Sequence, residues 1–193
     1  MKYKYILFDL DGTITESGPG IMNSVEYALN KMNREVGERD TLKKFIGPPL
    51  TESMEKYYGM SEEEALLGVK YYREYYAMKG IFENSVYEGL AETLESLKNE
   101  GYILAVATSK PEEYAKRIAD KFDFAKYFAG IYGATMDGSL IRKADVIRYA
   151  LDNLGVERIL RSFKVPVQIT LQRCRKRLHK SSEDVIMRGF EYE

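Results

Sequence analysis

Tyr5-Ile6-Leu7-Phe8-Asp9-Leu10-Asp11-Gly12-Thr13 is the stretch that decides how the rest of the chain is read. A run of strand-favouring apolar residues stops at two carboxylates one residue apart, followed by a glycine and a hydroxyl. Residues i and i+2 of a strand point to the same side, so Asp9 and Asp11 are expected to project together from the strand's carboxyl end. Two acids held that close repel each other, and both stay ionised only if a cation or a proton intervenes. The spacing therefore predicts a site rather than a solvated strand end.

Downstream, Gly18-Pro19-Gly20 reads as a break, after which Ile21, Val25, Leu29 and Met32 recur at helical spacing. Phe45-Ile46-Gly47-Pro48-Pro49-Leu50 reads as a stiff loop, because both prolines lack an N–H and fix φ. Ser61-Glu62-Glu63-Glu64 is a capping-box sequence, predicting a helix to about Met78 with Leu66, Leu67, Val69, Tyr72, Tyr75 and Tyr76 as its apolar and aromatic bulk. Residues 16–85 are thus expected to be all-helical and read as an insertion.

From Tyr87 onward strands and helices alternate. A helix with Leu90, Leu94 and Leu97 ends at Gly101, and Tyr102 to Ala107 read as a buried strand stopping at Thr108-Ser109-Lys110. Pro111, Glu112 and Glu113 open the next helix, since a first turn tolerates proline and favours acids. Tyr127 to Ala134 supply a third apolar stretch, Met136-Asp137-Gly138-Ser139 a turn, and Lys143 a helix closed by Gly155. This alternation predicts an α/β fold: a parallel sheet with helices on both faces, whose ligands bind outside the carboxyl ends of the strands. Asp9, Asp11, Thr108 and Lys143 all fall at or near such ends.

A chain of 193 residues suffices for one domain with a modest insertion, and 45% apolar with 31% charged residues is an ordinary globular composition. The net charge of -1 provides no global field for nucleic acid or membrane. The single cysteine, Cys174, excludes an internal disulfide or a multi-cysteine zinc site and fits a reducing compartment, so a cytoplasmic location is expected. Met1-Lys2-Tyr3-Lys4 leads straight into a strand without a signal peptide's apolar region, and no run reaches membrane-spanning length. Residues 156–193 hold 9 of the 29 basic and 5 of the 30 acidic residues, so this tail is +4 and the body -5. The basic run from Arg173 to Lys180 reads as a solvated segment in preference to a nucleic-acid patch.

Asp9-Leu10-Asp11-Gly12-Thr13, Thr108 after a buried strand and Lys143 before a helix resemble the first three motifs of the haloacid dehalogenase-like hydrolases. Thr15 to Ile21, Phe45 to Leu50 and Asp137-Gly138-Ser139 look closer still to the phosphoglycolate phosphatase-like and 5'-nucleotidase-like members. The resemblance implies a Rossmann-like hydrolase core over residues 1–15 and 86–193, with a small helical cap over 16–85. It also implies a Mg²⁺-dependent phosphatase of small phosphomonoesters, either phosphoglycolate or nucleoside 5'-monophosphates. In that family's pattern Asp9 is the nucleophile, forming an aspartyl-phosphate, and Asp11 the general acid and then base. The Asp9 carboxylate and the Asp11 main-chain carbonyl would bind Mg²⁺, while Gly12, Thr108 and Lys143 would hold the phosphoryl oxygens. Alternatives remain at two positions: the bland reading of Thr108 is a helix cap before Pro111, with Ser109 a rival for either role, and Arg142 competes with Lys143.

The chain departs from the family's fourth motif, an apolar strand followed by Gly-Asp that supplies a further metal ligand. Its nearest counterpart is Asp184 to Glu193, where Phe190 follows Gly189 and Glu191 and Glu193 are the carboxylates after that glycine. Residues 157–180 read as extra sequence before that strand, so the C-terminal part of the core reads as truncated or altered. Two readings stay open: an active phosphatase, or a catalytically impaired relative that keeps only phosphate binding.

Overall fold

A computed structural model describes residues 4–156 in full and the backbone of 167–170. The framework divides into two compact units, Met1–Ile14 with Val86–Glu193, and Thr15–Ser85.

In the first unit, β1 (Tyr5–Phe8) is an inner strand of a sheet ordered β5-β4-β1-β6, formed with β4 (Ile103–Pro111), β5 (Gly130–Ala134) and β6 (Val167–Thr170). Every pairing is parallel: Tyr5 to Phe8 lie opposite Ile103 to Val106 on one side and Val167 to Thr170 on the other. Parallel strands covered on both faces need apolar residues in both alternating sets, and β4 has them. Ala105 and Ala107 join Leu7 in a cluster with Val146, Ile147 and Ala150 of α6 (Lys143–Asn153). Leu104 and Val106, one residue out of phase, are buried toward the opposite face. Small alanines beneath α6 let the helix approach the sheet closely. The remaining helices of this unit, α4 (Leu90–Asn99) and α5 (Glu112–Lys121), also pack on β4. The expected α/β, Rossmann-like sheet is therefore the architecture found.

The alternating register also reveals a difference. β4 does not stop before Thr108 but runs on to Pro111, with an irregularity: Ala107 faces Tyr132 and Pro111 faces Ala134, so four steps of β4 match two of β5. Extra residues in one strand make a bulge, which bends the strand and re-aims its side chains. Consequently the cap of α5 is Pro111 and not Thr108. A second difference is β6, which lies inside the stretch read as extra sequence. The proposed fourth-motif strand, Asp184 to Glu193, and the basic run from Arg173 to Lys180 lie outside the described residues.

The second unit contains α1 (Gly18–Lys31), a 3-10 turn at Arg39–Phe45, α2 (Leu50–Tyr58) and α3 (Glu62–Tyr76). It is helical as expected except for β2 (Thr15–Glu16) and the start of β3 (Ser85–Val86), paired two-residue strands where the chain enters and leaves. Gly18, Pro19 and Gly20 are not a break but the first turn of α1, where proline's missing N–H has no helical partner to lose. The capping box of α3 is present, Ser61 Oγ accepting from Glu64 N at 3.3 Å and Glu64 Oε2 from Ser61 N at 2.9 Å. Its buried residues are Ala65, Gly68, Val69, Tyr72 and Tyr76, the spacing of one helical face. Leu66 and Leu67, read with them as the helix's apolar bulk, lie off that face and are exposed.

Candidate active site

The site is assembled where β1 and β4 end. After Phe8 the chain turns through Gly12, whose φ of 75° is open to glycine at little cost, and Thr13 N and Ile14 N both donate to Leu10 O. Among the described residues, the turn and loop backbone hydrogen bonds include none donated by the Gly12 N–H.

Asp9 is held on one oxygen only. Its Oδ1 accepts from Leu10 N at 2.8 Å and meets Lys143 Nζ at 2.7 Å, while Lys143 Nζ also donates to Ala107 O at 2.6 Å. Lys143 is the first residue of α6, so the packing of α6 on Ala105 and Ala107 delivers its ammonium to the end of β1. Asp9 Oδ2 makes no hydrogen bond or ion pair with another described residue, which leaves it as the oxygen able to meet a substrate or a cation. The Asp9–Lys143 pair is about a quarter exposed, so a ligand from solvent can reach it. Arg142, the rival on sequence, is exposed and caps α6 through its backbone alone.

Asp11 has a different partner. Its Oδ1 lies 3.2 Å from Lys110 Nζ, with both side chains more than nine-tenths buried. That oxygen makes no aligned hydrogen bond, so the contact is one of charge. Asp9 and Asp11 do not merely project side by side, as the strand spacing alone suggests: each is drawn to its own lysine. Sequence reasoning assigned Lys110 no role. The signal was the i, i+2 relation between Thr108 and Lys110, which becomes informative only if the strand continues to Pro111.

Thr108 is 1% exposed, and its Oγ1 accepts from Lys110 N at 3.1 Å, leaving the hydroxyl proton to donate elsewhere. Ser109 between them is half-buried. The structure thus brings together Asp9 with Lys143, and Asp11 with Lys110, whose N–H is bonded to Thr108. At the end of β5, Asp137 is a turn residue: bonds from the Thr135 hydroxyl and from Ser139 N–H and Oγ hold its carboxyl down at about 2. Among the described residues no three His, Cys, Asp or Glu side chains converge, and Glu191 and Glu193 lie outside them. An oxygen set of one or two protein groups fits Mg²⁺, which keeps waters and substrate phosphate oxygens, better than zinc.

The fold defines the class as an α/β protein with a parallel sheet, and the paired Asp9 and Lys143 lie at the carboxyl ends of its strands. The chain belongs to the haloacid dehalogenase-like hydrolase family, whose model matches residues 6–163. It is 42% identical over 156 residues, 81% of this chain and 71% of the relative, to a 5'-nucleotidase of Pseudomonas aeruginosa. It is 41% identical over 150 residues to the tyrosine-protein kinase PtkA of Mycobacterium tuberculosis, covering 77% of this chain but 50% of PtkA. The crystal structure of a predicted phosphatase from Clostridium acetobutylicum superposes with a TM-score of 0.78 at 49% identity, covering 80% of this chain and 72% of that one. In class, the chain is a phosphoric monoester hydrolase. No described helix is long and apolar enough to cross a membrane.

Proposed function

We propose that this protein hydrolyses small phosphomonoesters through an aspartyl-phosphate on Asp9. The observation that carries the reading is that both contacts of the Asp9 carboxylate fall on Oδ1. Oδ2 attacks phosphorus as the bond to the leaving oxygen breaks, and Asp11 transfers its proton to that oxygen. Water then attacks the aspartyl-phosphate, Asp11 takes its proton, and Asp9 is released with inorganic phosphate. Lys143 keeps Asp9 in place and, with the Thr108 hydroxyl and the Gly12 N–H, holds the phosphoryl oxygens. Ser109 is a further candidate for that cradle. A Mg²⁺ held by the Asp9 carboxylate and the Asp11 carbonyl would lower the repulsion between nucleophile and phosphate.

The 5'-nucleotidase relative supports a nucleoside 5'-monophosphate as substrate, and phosphoglycolate is the other class that the motif resemblance implies. Residues 16–85 would form the cap that selects between them, with the core over 1–15 and 86–193, in a cytoplasmic enzyme. A second reading, a relative that binds phosphate without turning it over, is favoured by one feature: Phe190 stands after Gly189 where the family carries an aspartate. Phosphate release from adenosine 5'-monophosphate and phosphoglycolate, with and without Mg²⁺, separates the two. Mg²⁺-dependent release that Asp9→Asn abolishes supports the enzyme; protection by inorganic phosphate against heat, without release, supports the second reading.

A further inference from the structure

Lys110 is a buried cation that the phosphatase chemistry above does not use. Its ammonium is 3.2 Å from Asp11 Oδ1, and the two side chains are 5% and 8% exposed. Such a pair is not explained by stability, because removing two charges from water offsets most of their attraction. What it does supply is orientation, and the surrounding backbone is built to hold it. Lys110 sits in the bulge of β4. Its own N–H donates to Thr108 Oγ1 at 3.1 Å. Its carbonyl is crowded by β5: a Cβ at Gly133 would stand 2.5 Å from Lys110 O and 2.7 Å from Glu112 N. Gly133 N in turn donates to Glu112 Oε2 at 3.2 Å. The bulge, the threonine and the glycine together fix where the lysine stem begins.

We infer that Lys110 is a positioning residue: by drawing Oδ1 of Asp11 to its ammonium, it leaves Oδ2 as the oxygen that passes the proton to and from the reacting oxygens. This rests on the phosphatase reading, in which the Asp9 Oδ2–phosphorus bond forms, the bond from phosphorus to the leaving oxygen breaks, and the proton moves from Asp11 Oδ2 to that oxygen. The arrangement at Asp9 is parallel, since Lys143 also takes Oδ1 and leaves Oδ2 to react.

The test compares leaving groups. p-Nitrophenolate departs with little need of a proton, whereas the alkoxides from adenosine 5'-monophosphate and phosphoglycolate need one. For Lys110→Met, kcat/KM on the two alkyl phosphates is expected to fall by about 100-fold and on p-nitrophenyl phosphate by less than about 5-fold. Lys110→Arg, which keeps the charge, is expected to recover part of the alkyl-phosphate rate. Gly133→Ala, which displaces the bulge but retains the lysine, is expected to show the same selective loss. An equal fall on both kinds of substrate overturns the inference, because Lys110 would then serve the phosphoryl group or the fold. Should the unmodified chain hydrolyse none of these esters, the phosphatase reading fails, and the crystal structure of Lys110→Met decides separately whether the lysine orients Asp11. A carboxylate rotated away from its wild-type rotamer supports orientation, and one that has not moved overturns it.

Discussion

At Asp9, the residue on which the chemistry turns, one oxygen is tied by a lysine and a backbone amide and the other is left to react. Lys143→Met removes the tie and a phosphate donor together, so kcat/KM for any phosphomonoester that is turned over is expected to drop by about 100-fold or more. The melting temperature should change little, since the pair is partly solvated and such pairs add little stability. Loss of fold instead of rate, seen by circular dichroism, would contradict that role. Asp137 allows a test of the turn after β5. Its carboxyl is held at about 2 by bonds from Thr135 and Ser139, below the ordinary value of 3.8. A depressed carboxyl contributes stability that is complete above the ordinary value and lost as pH falls toward the folded one, so its contribution should disappear between about pH 4 and pH 2. A carboxyl ¹³C titration of Asp137 with a midpoint near 4 would show that the turn is not formed. Asp9 and Asp11 stand out in sequence because an apolar run stops at them, and Lys143 because a helix begins there. Lys110 was not, because only the bulge in β4 turns it toward Asp11.

Among the elements, those with chemical punctuation were the easiest to read. The capping box of α3 announces itself through Ser61 and Glu64, and the acids after Pro111 announce α5. Gly18-Pro19-Gly20 misleads, since the same residues that break a helix interior suit its first turn. The second glycine there has a packing reason that no local pattern discloses. A Cβ on Gly20 would lie 1.9 Å from Gly80 O and 3.0 Å from Glu83 O, and Gly20 N donates to Glu83 O at 3.0 Å. Backbone cannot retreat as a flexible side chain does, so Gly20→Ala is expected to destabilise the protein by about 1–3 kcal/mol or more. Urea unfolding would register this as a lower midpoint, and an unchanged midpoint would mean that α1 and the Gly80 turn are not in contact. Leu66 and Leu67 show the limit of composition: apolar residues on a helix say nothing about burial until the buried face, here Ala65, Gly68, Val69, Tyr72 and Tyr76, is known.

For the whole molecule, the alternation of strand and helix after Tyr87 was enough to predict a parallel sheet, and the sheet order β5-β4-β1-β6 puts the Asp9 strand inside it. What alternation does not disclose is which segment fills each place. Val167–Thr170 pairs with β1 although the stretch around it carries no family motif, because a four-residue parallel pairing depends on backbone hydrogen bonds rather than on particular side chains. The central claim, that Asp9 becomes phosphorylated, is tested most directly by trapping. The protein is mixed with ³²P-labelled adenosine 5'-monophosphate and Mg²⁺, quenched in acid within milliseconds, digested and mapped by mass spectrometry. An acid-stable, base-labile label on the peptide containing Asp9, absent from Asp9→Asn, is the result expected. Phosphate release with no label on Asp9 at any quench time, or equal release by Asp9→Asn, would contradict it.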